Sequence, residues 1–219
     1  MEYDWWATTF KTAIKDFNHT VMILIPWNDP IPLKRAWCLY ELYCTHEMGC
    51  RFDVAMGKNG YQEFIAALDN EYAGVVVNRM LASIDVSKSQ AYKDADRKMI
   101  LDAVSKSVGL NKLNGVVLGL MRDWALDNCE KEVNIRMRIN PENPSTLCSI
   151  NNLALLYDSQ GKYDKAEPLY VECLEKRKAV LGDSHPDTLT SINNLAALYD
   201  NQGKYDKTTN MEFSIASAS

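Results

Sequence analysis

The sequence is short of positive charge. It has 24 lysines and arginines against 29 aspartates and glutamates, a formal net charge of −5. No basic cluster interleaves with aromatics, which excludes a nucleic-acid binder that works by neutralising phosphates. Long apolar runs are missing as well, and no stretch approaches the roughly 20 residues that span a bilayer. The opening MEYDWWATTF is acidic and aromatic, unlike the basic and then apolar leader of secreted chains. A soluble, cytoplasmic protein is expected, with neither nucleic acid nor membrane as partner. Cysteine pairs are absent too: there are 6 cysteines, none in a Cys-x-x-Cys arrangement. Most fall in apolar helical patterns, where a free thiol behaves as a small hydrophobe. Cys44, His46 and Cys50 come nearest to a metal set. They lack a second pair of ligands, and residues 44 and 46 point to different helix faces, so no metal site is expected.

What the sequence does contain is a repeat. STLCSINNLALLYDSQGKYDKAEPL begins at Ser145 and DTLTSINNLAALYDNQGKYDKTTNM at Asp187; Leu147 pairs with Leu189, a period of 42. Self-similarity at a fixed period of this size marks a solenoid of supersecondary units. Each unit reads as helix, turn, helix. Helix A runs over about 146–159, with Ile150, Leu153, Ala154 and Tyr157 on one face. Gly161 ends it, because glycine takes the left-handed conformation without a Cβ clash. Helix B runs over about 163–181, with Ala166, Leu169, Tyr170, Cys173 and Leu174 as its apolar face, and Gly182 stops it. The second unit departs from the first after Lys207, so the count is one and a half repeats. NPENP (140–144) is the hinge ahead of them, since each proline biases the residue before it away from helix.

The stretches NNLALLYDSQGKYDKAEPLY and HPDTLTSINNLAALY resemble tetratricopeptide repeats, and most closely the 42-residue variety of kinesin light chains. That resemblance implies an all-α solenoid that binds protein or peptide partners in a groove lined by helices A. It places Asn151, Asn152, Leu155, Asn193 and Asn194 at or beside the groove. An amide side chain both donates to and accepts from a partner backbone, which suits gripping an extended peptide. A competing reading has one asparagine of each pair merely bonding the backbone of the neighbouring repeat. A role as cargo adaptor for a microtubule motor is a further implication, although no long heptad segment precedes the repeats.

The first 132 residues lack the period. TTFKTAIKDFNH reads as an amphipathic helix with Phe10, Ala13, Ile14 and Phe17 on one face. TVMILIP reads as a parallel strand covered on both faces. A helix over Pro32–Cys50, a short strand RFDVAMG and three further helices follow, the last with Leu113, Val117, Leu120 and Trp124 in register. KDADRK (93–98) reads as a solvated helix surface, and Trp5 with Trp6 as cover for the first helix. Alternating helix and apolar strand argues an α/β layer fold.

AWCLYELY after a buried strand resembles the Toll/interleukin-receptor (TIR) domain, whose plant-type members carry Trp-Cys-Leu-x-Glu-Leu on a helix. Here those residues are Trp37, Cys38, Leu39, Glu41 and Leu42. The resemblance implies a flavodoxin-like layer fold. In members that cleave NAD it puts the catalytic glutamate at Glu41, stabilising an oxocarbenium ion. Lys34, seven residues earlier, is the alternative partner for that carboxylate as a simple ion pair. The family's first two strands have no counterpart here, so a partial domain is expected, with an exposed sheet edge open to self-association. The expected organisation is a partial TIR-like α/β domain over 1–132, a linker or capping helix over 133–144, repeats over 145–207 and a non-repeat tail over 208–219. Ends that fall inside a fold and inside a repeat predict a truncated gene product. The expected function is a protein-interaction scaffold without cofactor; NAD enters only if Glu41 is catalytic.

Overall fold

A helix hands over to a parallel strand pair at the start of the chain, and helices follow. The computed structural model describes residues 5–70, 73–82 and 84–204. The side chains of Trp5 and Trp6, and the departure of the second repeat after Lys207, lie outside the described residues. Contacts divide the chain into two compact units, residues 1–64 with 77–125, and residues 65–76 with 126–219.

The first unit opens with α1 (Trp5–Phe17), β1 (His19–Ile23), α2 (Ala36–Glu47) and β2 (Arg51–Ala55). The two strands pair in parallel, from His19 opposite Arg51 to Ile23 opposite Ala55. Parallel neighbours need a crossover, and α2 supplies it. Asn18 makes the turn out of α1 at φ +52°, a conformation that asparagine adopts more readily than most residues. The expectation that β1 is covered on both faces does not hold. Thr20 and Met22 are buried, but Val21 and Ile23 are 51% and 59% exposed. Among the described residues the sheet has two strands, with helix contacts on the side of Thr20. There the Thr20 and Thr45 hydroxyls share a hydrogen bond of 2.7 Å, and Thr45 also donates to the Glu41 carbonyl at 2.8 Å. Phe17, expected on the packed face of α1, is 81% exposed, because the helix ends there and the chain turns away.

The next helices are α3 (Lys58–Asn70), α4 (Ala73–Leu81), α5 (Asp94–Ser107) and α6 (Leu110–Ile139). The sequence reading gave no element to AGVVVNRML, which is α4. In the first unit Leu113, Val117, Met121 and Ala125 of α6 are fully buried in one stripe. That stripe follows a four-residue step, so Leu120 and Trp124 lie at its flank. Trp124 stacks on Phe64 at 5.5 Å, and Phe64 meets Trp27 edge-on at 5.5 Å. The charge run over 93–98 is not merely solvated. Arg97 donates through Nε to the Ser89 carbonyl at 2.6 Å and through Nη2 to that of Ser87 at 2.7 Å, tying α5 to the turn before it.

In the second unit the end of α6 leads into α7 (Pro144–Ser159), α8 (Tyr163–Leu181) and α9 (Pro186–Asn201). The boundaries of the two repeat helices match the sequence reading to within two residues. Asn143 caps α7 by accepting from the Ser145 amide at 2.9 Å, with Pro144 in the first turn, the arrangement favoured at a helix start. Gly161 sits at φ +71° and its repeat equivalent Gly203 at φ +70°, where a Cβ would be strained. Ile150, Leu153, Ala154 and Tyr157 of α7 are buried against Ala166, Tyr170, Cys173 and Leu174 of α8. On α9, Ile192, Leu195, Ala196 and Tyr199 repeat the pattern. Leu169, expected with the apolar face of helix B, is only half-buried.

Candidate functional site

The motif Ser-Ile-Asn-Asn occurs twice, at 149–152 on α7 and at 191–194 on α9. Each residue has a helical place fixed by the packed isoleucine beside it. Asn151 is 5% exposed, and its Oδ1 accepts from Nδ2 of Asn194 at 2.9 Å. Asn152, the equivalent of Asn194, donates instead to the Leu68 carbonyl at 2.8 Å. That carbonyl belongs to the last turn of α3, whose final carbonyls have no partner within the helix. The last turn of α3 therefore lies beside α7 as α7 lies beside α9.

The serines tell the same story on the other helix layer. Arg177 of α8 donates through Nη1 to Ser191 Oγ at 2.8 Å. Arg136, near the end of α6, donates through Nη1 to Ser149 Oγ at 2.8 Å. So α6 stands to α7 as α8 stands to α9. The end of α3 and the end of α6 together occupy the position of a helix pair ahead of the first full repeat. Ile65 and Leu68 of α3 close a cavity of about 20 Å³, about the space of one water. Cys129, Glu132 and Val133 of α6, with Ser149 and Leu153 of α7, form its other walls.

Of the five residues expected at the groove, Asn151, Asn152 and Asn194 thus make interhelical hydrogen bonds. Asn152 bonds backbone, that of α3, whereas Asn151 and Asn194 bond each other's side chains. Asn193 is exposed and Leu155 half-buried. Thr190, Ala197 and Asn201 extend the exposed face of α9. Asn201 Nδ2 reaches Asp158 Oδ1 at 3.4 Å, and burial raises the Asp158 carboxyl against that bond. The surface offers neutral amide and hydroxyl groups beside an aliphatic side chain. It can pair with a backbone and bury a small apolar group.

Glu41 lies on α2, one turn after Trp37, whose ring meets Phe10 at 5.7 Å. Burial pushes the Glu41 carboxyl above its ordinary range. The expected ion pair with Lys34 is not formed. Lys34 belongs to a single-turn 3-10 helix (Ile31–Lys34) ahead of α2, off its face, and its Nζ donates to Asp29 at 2.6 Å. Cys44 is fully buried, and the Cys50 thiol donates to the Ile14 carbonyl at 3.6 Å. Among the described residues no helix is long and apolar enough to cross a membrane.

Sequence reasoning missed Arg177. It is 4% exposed, inside a helix face read as apolar. The signal that could have found it is the serine repeated at 149 and 191, each facing an arginine in the helix before.

Residues 123–179 and 145–207 match the family model of the tetratricopeptide repeat. Residues 123–207 carry tetratricopeptide repeats. The match begins inside α6, in keeping with the bond from Arg136 to Ser149. Such repeats generally mediate interactions between proteins. The chain is also similar to the crystal structure of BtubC (BKLC) from P. vanneervenii. Identity is 17%, with 89% of this chain and 66% of that chain covered and a TM-score of 0.42. The chain thus spans just under two thirds of the length of that solved chain. Comparison with curated proteins finds no match.

Proposed function

We propose that the repeat unit grips an extended peptide of a partner protein across α7 and α9. The observation that carries this reading is the exposed neutral row of Thr190, Asn193, Ala197 and Asn201 beside half-buried Leu155. Asn193 pairs with the partner backbone and Leu155 covers an apolar side chain. Asn151, Asn152 and Asn194 set the spacing of the helices and contribute indirectly. The test is selection of peptides from a displayed random library on the full chain. Their affinity is then compared with that for the double variant Asn193→Ala, Leu155→Asp. A loss of about tenfold or more, with unchanged circular dichroism, is expected; equal affinity overturns the assignment.

A second reading rests on Glu41. A half-buried carboxylate whose pKa burial raises and a motif resembling that of TIR domains support NAD cleavage, with Glu41 stabilising positive charge at the ribose. Purified chain beside Glu41→Ala decides it. NAD turnover that disappears in the variant supports an enzyme, and no turnover in either rejects one.

A further inference from the structure

We propose that a second copy of this chain covers the open face of the β1–β2 sheet, forming a weak two-fold dimer packed sheet against sheet. Parallel sheets are ordinarily covered on both faces. Here burial alternates along the chain: Thr20, Met22 and Leu24 are buried, while Val21, Ile23 and Ile25 are 51%, 59% and 56% exposed. The ladder continues past β1, since the Leu24 amide donates to the Ala55 carbonyl at 2.9 Å. The three exposed side chains therefore stand in one row, on the face away from the Thr20–Thr45 contact with α2. Ile31 extends the row: its amide donates to the Ile25 carbonyl at 3.4 Å, and it is 57% exposed. On β2, exposed Ala55 lies opposite Ile23. A contiguous apolar patch of this kind, a few hundred Å² across, marks an interaction surface.

Charge and area select the occupant. The polar end of the face holds His19 opposite Arg51, with Asp53 next along β2. These groups satisfy one another: Asp53 Oδ2 lies 2.7 Å from His19 Nε2 and 2.7 Å from Arg51 Nη2. The charges of Arg51 and Asp53 cancel. A face without net charge meets its own copy without like-charge repulsion, and it gives a charged partner nothing to pair with. A two-fold axis near Ile23 lays the apolar half of one copy on the apolar half of the other. The two polar groups then fall at opposite ends, on the polar rim that interfaces keep. Sheets packed face to face lie about 10 Å apart with their side chains interdigitated, and branched valine and isoleucine fit such a surface. Each face is only two five-residue strands wide and long. The total area buried falls below about 1,200 Å², the size of transient contacts rather than permanent ones. The dimer is accordingly weak, and concentration sets its population.

Sedimentation velocity of the full chain over about 10–500 μM tests this. The weight-average sedimentation coefficient should rise with concentration. Ile23→Lys puts a charge at the centre of the patch, at a position that is 59% exposed in the single chain. It should weaken the dimer about tenfold or more, because like charges then meet across the axis. Ala55→Lys separates face from edge. Ala55 shares the face but belongs to β2, away from the outer edge of β1, so this variant should weaken the dimer as well. Ile139→Lys, 78% exposed at the end of α6, should leave it unchanged. Circular dichroism checks that each variant folds. Should Ile23→Lys not fold, the wild type and Ala55→Lys still decide. A monomer at every concentration overturns the proposal, as does a dimer that a folded face variant leaves intact or that Ile139→Lys weakens equally. Weakening by Ile23→Lys alone would mean strands joined edge to edge, and it too overturns the proposal.

Discussion

Truncating Leu68 to alanine tests whether α3 completes the repeat array. Leu68 is 7% exposed, so nearly all of its side chain leaves water. Leucine-to-alanine changes in cores lose ~2–5 kcal/mol through transfer and cavity terms together. The neighbouring cavity of about 20 Å³ shows that packing here is already incomplete, and a helix end can settle into the space. The loss should fall in the lower half of that range, about 2–3 kcal/mol. Asn152→Ala removes the bond to the Leu68 carbonyl and should lose ~0.5–1.5 kcal/mol. The two changes act on one docked turn, so the double variant should fall short of their sum by ~0.5–1 kcal/mol. Hydrogen exchange on peptides from α7 in the full chain reports this unit directly. A loss of 2–3 kcal/mol speeds the slowest amides by roughly 30- to 150-fold. Leu147→Ala, at a fully buried position, is the positive control. Exchange in α7 changing by less than about threefold in Leu68→Ala, while the control responds, would refute the reasoning.

Further predictions concern backbone and charge. Gly161→Ala and Gly203→Ala place a Cβ at φ +71° and +70°; each should destabilise the repeats by ~1–2 kcal/mol, read from urea unfolding. Asp85 accepts from the Ser87 amide at 3.0 Å and hydroxyl at 2.6 Å and pairs with Lys88 at 3.0 Å. These partners, the Ser87 hydroxyl first, lower its carboxyl to about 2. NMR titration should find it there, with its contribution present above the unfolded value of 3.8 and lost as pH falls through about 2. Glu41 runs the other way. Burial raises its value above 4.5, so its contribution is complete below that pH and declines as pH rises through the folded value. Glu41→Gln should flatten that part of the stability curve in thermal melts.

The repeat helices were legible because a local rule governs each part. The glycines at 161 and 182 stop helices, Pro144 starts one, and a period of 42 aligns residues whose roles must match. The layer of α1, β1, α2 and β2 was legible in order for the same reason. Its environment was not. Val21 and Ile23 are as apolar as any covered strand, and apolar content does not reveal whether anything lies on that face. The bond from Asn152 to Leu68 joins residues 84 apart in sequence, and no local signal announces such a pairing. Arg177 carries no mark in the sequence of its own helix. Its guanidinium is buried by three acceptors on neighbouring helices, which pattern reading of one helix does not register. The partner of Lys34 turned on a 3-10 turn that displaces it from α2.

The most direct test of the interaction surface is hydrogen exchange on the full chain with and without a peptide selected on it from a displayed library. The account predicts slower exchange over Leu147–Ser159 and Thr188–Asn201, the helices that carry Leu155 and Asn193. Slowing confined to other helices, or none at all with a bound peptide, would contradict it.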